Sequence, residues 1–218
     1  MRHLILALIG CLLASPVRAC ETALLLAVDV SGSISVDEYT LQMQGLADAL
    51  ADPDVIAALV GGQDKLSLVQ WSGTGKQRLS LPWQSLHSAA EVADLAATIR
   101  LIKRPLDHTD TAIGEALYFA LAQFADVPDC QRKVIDLSGD GAENAANSLP
   151  AARAEVEAQG VTLNAIAIEE TAETLTLSGY FRRFVITPDG FVVTARGLQD
   201  YPRAIRAKLL RELTKAVS

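Results

Sequence analysis

Apolar positions along this chain fall into two alternating rhythms. Nearly continuous apolar runs at Thr22 to Val28, Lys65 to Trp71, Lys133 to Leu137 and Val161 to Ile168 have the length and composition of strands covered on both faces. Shorter runs at Arg78 to Pro82 and Phe191 to Thr194 predict two further strands. Helical spacing fills most of the intervals. Ser35 and Glu38 form a capping box, after which Tyr39, Met43, Leu46 and Leu50 recur on one face. Ser88 to Ile102, Thr111 to Phe124, Leu149 to Gln159 and Leu198 to Val217 follow the same period. Strands alternating with helices predict an α/β domain, a mostly parallel central sheet with helices on both faces. The Arg78 to Pro82 run follows its predecessor closely and carries Pro82, so it is expected as an antiparallel edge strand.

The amino terminus follows a different pattern. Arg2 and His3 precede an apolar stretch from Leu4 to Ala14, then Ser15-Pro16 and the small-residue exit Val17-Arg18-Ala19, the anatomy of a secretory signal. That stretch is too short to span a bilayer, and no later segment has the length to do so. The expected mature chain is therefore residues 20–218, one exported domain, periplasmic or secreted, with no internal repeat or linker. A lipid anchor on Cys20 is a competing reading, opposed by Arg18 where lipoprotein cleavage sites prefer small or apolar residues.

Cys20 and Cys130 remain in the mature chain, in a compartment where a disulfide persists. Each enters an apolar strand that ends in an aspartate, Asp29 nine residues after Cys20 and Asp140 ten residues after Cys130. If those strands are parallel neighbours whose upper ends meet at one site, their lower ends bring the cysteines within bonding reach. The formal charge of -7 becomes more negative once Arg2 and Arg18 are removed, which disfavours nucleic acid or an anionic membrane as partner.

The candidate chemistry lies at the carboxyl ends of these strands, where open α/β sheets carry their sites. Asp29-Val30-Ser31-Gly32-Ser33 leaves the first strand with one carboxylate and two hydroxyls, a group suited to a cation. Val134 to Gly141 repeats the arrangement, an apolar strand running into Asp140 and a glycine, and Thr111 sets a hydroxyl at the start of a predicted helix. In these three elements the chain resembles the von Willebrand factor type A domains, and more narrowly a bacterial group of exported single-domain relatives of unknown function. The resemblance covers essentially the whole mature chain. It implies a three-layer Rossmann-like fold with the first and fourth parallel strands as central neighbours, in agreement with the cysteine argument. It also implies a metal-ion-dependent adhesion site in which Ser31, Ser33 and Thr111 offer hydroxyls directly. Asp29 and Asp140 would act through water or by orienting the hydroxyls. Thr109 is an alternative to Thr111 should the loop register shift, while His108 and Asp110 read as solvated loop residues.

Such an oxygen-rich set suits magnesium, with calcium and manganese as alternatives. Neutral hydroxyls leave the cation's charge underneutralised, so the resemblance implies a partner protein whose Asp or Glu carboxylate completes the shell, acting on what is expected to be a monomer. Two other classes remain. One is a scaffold with a structural metal or none. The other is a magnesium-dependent hydrolase with Asp29 as nucleophile, disfavoured because Ser31 stands where phosphotransferases of that kind carry a second aspartate. A serine hydrolase is weaker still, since Ser31 lacks the glycine that precedes a nucleophile elbow, and the expectation is a protein that is not an enzyme. Trp71 is expected to pack at its strand end, Asp136 and Asn164 to share a buried hydrogen-bond network, and Glu169-Glu170 and Arg182-Arg183 to be solvated.

Overall fold

The computed structural model describes residues 20–105, 110–145, 147–169 and 176–214. The expected signal segment, His108, Thr109 and Glu170 lie outside them, as do the last residues of the predicted Leu198 to Val217 helix. Six strands, β1 (Thr22–Asp29), β2 (Lys65–Trp71), β3 (Gln77–Ser85), β4 (Arg132–Gly139), β5 (Thr162–Glu169) and β6 (Val192–Arg196), form one sheet in the order β3-β2-β1-β4-β5-β6. All neighbours are parallel except β2 and β3. The expected edge strand is therefore antiparallel, and it runs longer than its apolar core, with two register irregularities against β2.

Strand β1 is buried along its whole length because both of its faces are covered. Leu24, Leu26 and Val28 point into a core formed with α1 (Val36–Leu50), α2 (Pro53–Gly62), α3 (Ala89–Leu101) and α7 (Tyr201–Leu213). Ala23, Leu25 and Ala27 face the opposite core, under α4 (Ile113–Gln123), α5 (Leu149–Ala158) and the short α6 (Leu177–Tyr180), which continues as a π-turn at Phe181–Val185. The result is a doubly wound three-layer α/β fold. The capping box predicted at the start of α1 is present, Glu38 N–H donating to Ser35 Oγ and Ser35 N–H to the Glu38 carboxylate. Helix α2 was not anticipated from periodicity, although Asp52 caps it and Pro53 opens it.

Cys20 and Cys130 are bonded at the lower ends of β1 and β4, with 4.5 Å between their α-carbons. Register pairs Thr22 with Arg132 and Val28 with Ser138, so the strands run side by side from the disulfide to the two aspartates.

Asp136 and Asn164 face each other across β4 and β5, and the network expected between them exists, but it is relayed by α7. Lys208 Nζ lies 2.5 Å from both Asp136 Oδ1 and Glu212 Oε1, Asn164 Nδ2 donates to Glu212 Oε1 at 2.8 Å, and Phe191 N–H donates to Asn164 Oδ1. Lys208 and Glu212 are fully buried. Burial, and then the charge of Asp136, hold the Glu212 carboxyl above the usual carboxylate range. A carboxyl more basic folded than unfolded contributes stability that is present below its unfolded pKa and lost as pH rises through the folded value. Glu212→Gln is therefore expected to lose less stability than the parent between about pH 5 and about pH 9, measured by urea unfolding at both.

Candidate metal centre

Three loops at the upper edge of the sheet build the site. The first leaves β1 at Asp29, and its backbone is fixed before any ligand is considered. Val30 N–H donates to Trp71 O, Ile34 N–H closes a turn on Ser31 O, and Val30 and Ile34 are buried as apolar anchors on either side of the exposed Gly32. Gln42 Nε2 donates to Asp29 O, and Arg104 Nη2 donates to Val30 O at 3.1 Å and Ser31 O at 2.8 Å. Neither residue stands out in the sequence, since a polar side chain on a helix and an arginine after one both read as solvated.

On this frame Asp29 Oδ1 accepts Ser31 N–H at 2.7 Å. Ser31 Oγ and Ser33 Oγ are 3.2 Å apart, and Ser33 Oγ donates to Asp140 Oδ1 at 2.8 Å. The first and second loops are thus joined through their polar side chains. Gly139 and Gly141 flank Asp140, and Gly139 sits where a side chain would crowd the site, whereas Gly141 leaves room for an ordinary contact. A β-carbon on Gly139 would stand 3.2 Å from Asp29 Oδ2, and one on Gly141 would stand 3.5 Å from Thr111 Oγ1. The missing side chain at Gly139 is what lets this turn close on the Asp29 carboxylate, and Gly141 stands beside the Thr111 hydroxyl.

The third loop carries Thr111, and here the sequence expectation needs a correction. Helix α4 begins at Ile113 with Ala112 as its cap residue, so Thr111 precedes the helix instead of opening it. Asn144 holds it there: Thr111 N–H donates to Asn144 Oδ1 at 2.8 Å, and Asn144 N–H returns a bond to Thr111 O at 3.0 Å. Ala112 N–H donates to Ser72 O, tying the loop to the end of β2. Glu143 spans the same neighbourhood, accepting from Gly114 N–H and Ser148 N–H. Asn144 and Glu143 were missed by the sequence reading, and only their place just after Asp140-Gly141 could have pointed to them. Trp71 is fully buried and packs, as expected. Glu169 is not simply solvated, since it accepts Ser178 N–H at 3.0 Å.

The electrostatics of this arrangement are unbalanced. Asp29 is completely buried, and its Oδ2 has no hydrogen-bond partner among the described residues. Burial, followed by repulsion from Asp140, pushes its carboxyl up to about 7. Burial also raises Asp140, with Glu38 adding to the shift. A buried carboxylate oxygen without a donor is costly, and a cation bound among the neighbouring hydroxyls would offset that cost. Among the described residues no three His, Cys, Asp or Glu side chains gather as a metal cluster. The polar side chains that meet here are the hydroxyls of Ser31, Ser33 and Thr111 and the carboxylates of Asp29 and Asp140. That chemistry fits a hard divalent cation that retains water.

If Asn144 positions Thr111 for such a cation, Asn144→Ala should weaken cation binding by about tenfold, the scale on which residues that orient ligands act. Calorimetric titration of the variant beside the parent measures it.

Comparison with solved structures shows the same fold elsewhere. Proximal thread matrix protein 1 (PTMP1) from the mussel byssus, in a form with a zinc-occupied MIDAS motif, superposes with a TM-score of 0.62 and 20% identity, covering 88% of this chain and 48% of that one. A von Willebrand factor type A protein from Catenulispora acidiphila gives 0.62 and 20% identity over 91% of this chain and 44% of its own. The pilus adhesin SpaC from Lactobacillus rhamnosus GG gives 0.63 and 12% identity over 88% and 31%. The chain spans less than half the length of each. No curated protein matches the sequence. The likeness establishes a von Willebrand factor type A fold, and the family model described as "Protein of unknown function (DUF1194)" matches residues 19–217, so the chain belongs to that family.

Proposed function

We propose that this protein is an exported, non-enzymatic binding module that captures a carboxylate of a partner protein through a divalent cation. Ser31, Ser33 and Thr111 offer the direct oxygen ligands, and Asp29 and Asp140 orient them and their waters. The observation that carries this reading is the convergence of the three loops on a buried Asp29 whose Oδ2 has no donor among the described residues. The zinc-occupied MIDAS motif of PTMP1, on the same fold, supports it. Magnesium suits the donor set best, with calcium and manganese as alternatives. The bound cation supplies a Lewis-acidic position for a carboxylate oxygen. Around it the chain's own residues hold the hydroxyls in register: Arg104 and Gln42 from the first loop's backbone, Asn144 from the third. The disulfide at Cys20–Cys130 supports a location outside the cytoplasm, either periplasmic or secreted, with residues 20–218 as the mature domain.

A nucleophilic role for Asp29 is disfavoured by its complete burial beneath Ser31 and Gly139. The test uses manganese as a paramagnetic reporter. Adding a short peptide that contains one Glu should lower the water-proton relaxation of the manganese-loaded protein as its carboxylate displaces bound water, and the same peptide with Gln should leave it unchanged. Identical behaviour of the two peptides would overturn the ligation mechanism.

A further inference from the structure

Helices α4 and α5 both begin beside the candidate site, and neither supplies its own cap. Ala112 precedes α4 without a side-chain hydrogen bond, and the Ser148 hydroxyl ahead of α5 has no partner among the described residues. First turns leave N–H groups that need acceptors, and each carries partial positive charge. Here two of them meet. Gly114 permits the approach, because a β-carbon there would collide with Ser148 Oγ and stand 2.5 Å from Leu149 N.

One side chain serves both helices. Glu143 Oε2 accepts Gly114 N–H at 3.3 Å and Oε1 accepts Ser148 N–H at 3.0 Å, while Glu143 N–H donates to the Tyr180 hydroxyl at 3.3 Å. The carboxylate offsets two helix ends that would otherwise repel, and it fixes the second loop on α4, α5 and α6. That loop also reaches every other part of the site. Asp140 accepts from Ser33 Oγ, Gly141 stands beside Thr111 Oγ1, and Asn144 exchanges two hydrogen bonds with the Thr111 backbone. We propose that Glu143 is a positioning residue that sets cation selectivity: by pinning the second loop to the start of α4 it fixes the Thr111 hydroxyl relative to Ser31 and Ser33, and the site favours magnesium over calcium. The inference rests on the metal-binding reading above and names what chooses among the cations that reading leaves open.

Magnesium demands a near-ideal octahedron with oxygens at about 2.0–2.1 Å, whereas calcium accepts about 2.3–2.6 Å and irregular shells. A hydroxyl free to drift by a few tenths of an ångström therefore suits calcium and penalises magnesium. Thr111 is held on both sides. Asn144 takes its N–H and its carbonyl, Ser72 O takes the next N–H, and Glu143 takes the N–H of Gly114 in the first turn of α4. The first loop, with Ser31 and Ser33, is fixed separately through its carbonyls by Gln42 and Arg104. Glu115 offers a contrast in the same turn of α4. Its Oε2 accepts Gly75 N–H at 2.8 Å, tying the helix to the β2–β3 turn instead of to the second loop.

Magnesium and calcium titrated separately into the chelator-stripped parent, Glu143→Gln, Glu143→Asp and Glu115→Gln, by calorimetry, test this. The parent should bind magnesium more tightly than calcium. Glu143→Gln removes the charge and one of the two acceptors, and Glu143→Asp keeps the charge but is too short to reach both N–H groups. Each should weaken magnesium about tenfold and calcium by less than about threefold, so that the preference shrinks. Glu115→Gln should keep the parent's preference. Glu143→Asp decides alone if the Gln variant fails to fold, as judged by urea unfolding. Loss of both cations by the same factor is what a merely structural role would give. That result, an unchanged preference, a parent that favours calcium, or a Glu115→Gln variant that behaves like Glu143→Gln would overturn the selectivity role and leave the metal reading intact. A parent that binds neither cation would contradict the metal reading itself, and the inference with it.

Discussion

Removing the bridge by Cys20→Ser with Cys130→Ser should lower the unfolding free energy by about 4 to 5 kcal/mol, the chain-entropy value for a closed loop of this size. The bridge joins residues 110 positions apart, so it restricts the unfolded chain strongly. It also stands where the sheet's two central strands begin. Gln131 N–H donates to Cys20 O and Arg132 N–H to Glu21 O, so the bond and the first rungs of the β1–β4 ladder form one unit. Domains of this size are stable by only about 5–15 kcal/mol, so the loss is a large share of the total. Urea unfolding of the double variant beside the oxidised parent measures it. A difference below about 1 kcal/mol would mean that the unfolded chain is already constrained at this point.

Lys208→Met should cost about 3–5 kcal/mol, the range for breaking a buried ion pair by removing one partner. The variant keeps the volume and the apolar stem but takes away the ammonium shared by Asp136 and Glu212. Each of those carboxylates already has one oxygen without a hydrogen-bond partner among the described residues, so neither has reserve solvation. The burial that raises Glu212 makes the loss worse at high pH, where its carboxyl must ionise. Combining Lys208→Met with Asp136→Asn and Glu212→Gln removes the uncompensated charge, and most of the loss should be recovered. A single variant as stable as the parent, or a triple variant no better than the single one, would refute this account of the network.

The sheet was legible because its signals were redundant. The buried runs of β1, β2, β4 and β5 leave no solvent face, and two cysteines, each nine or ten residues ahead of an aspartate, pointed to the same pair of central neighbours that the register shows. The capping box of α1 was equally explicit, since both of its residues act locally. What escaped depends on distant partners. Helix α2 carries its start signal in Asp52 and Pro53, but only Val55, Leu59 and Gly62 are buried, too few to establish a period. Lys208 and Glu212 are charged residues one turn apart, which on a helix ordinarily face solvent, and only the position of Asp136 beneath α7 explains their burial. In the candidate site, Asp29, Ser31, Ser33 and Asp140 could be named because motif and strand end coincide. Arg104, Gln42 and Asn144 could not, because they act on backbone atoms that only the folded chain brings to them.

Calorimetric titration of magnesium into the chelator-stripped protein, beside Asp29→Ala and Ser33→Ala, tests the central claim most directly. The account predicts saturable one-site binding by the parent, lost in both variants, with all three proteins giving the same far-ultraviolet circular dichroism. Binding that persists unchanged in both variants, or no binding by the parent to magnesium, calcium or manganese, would contradict it.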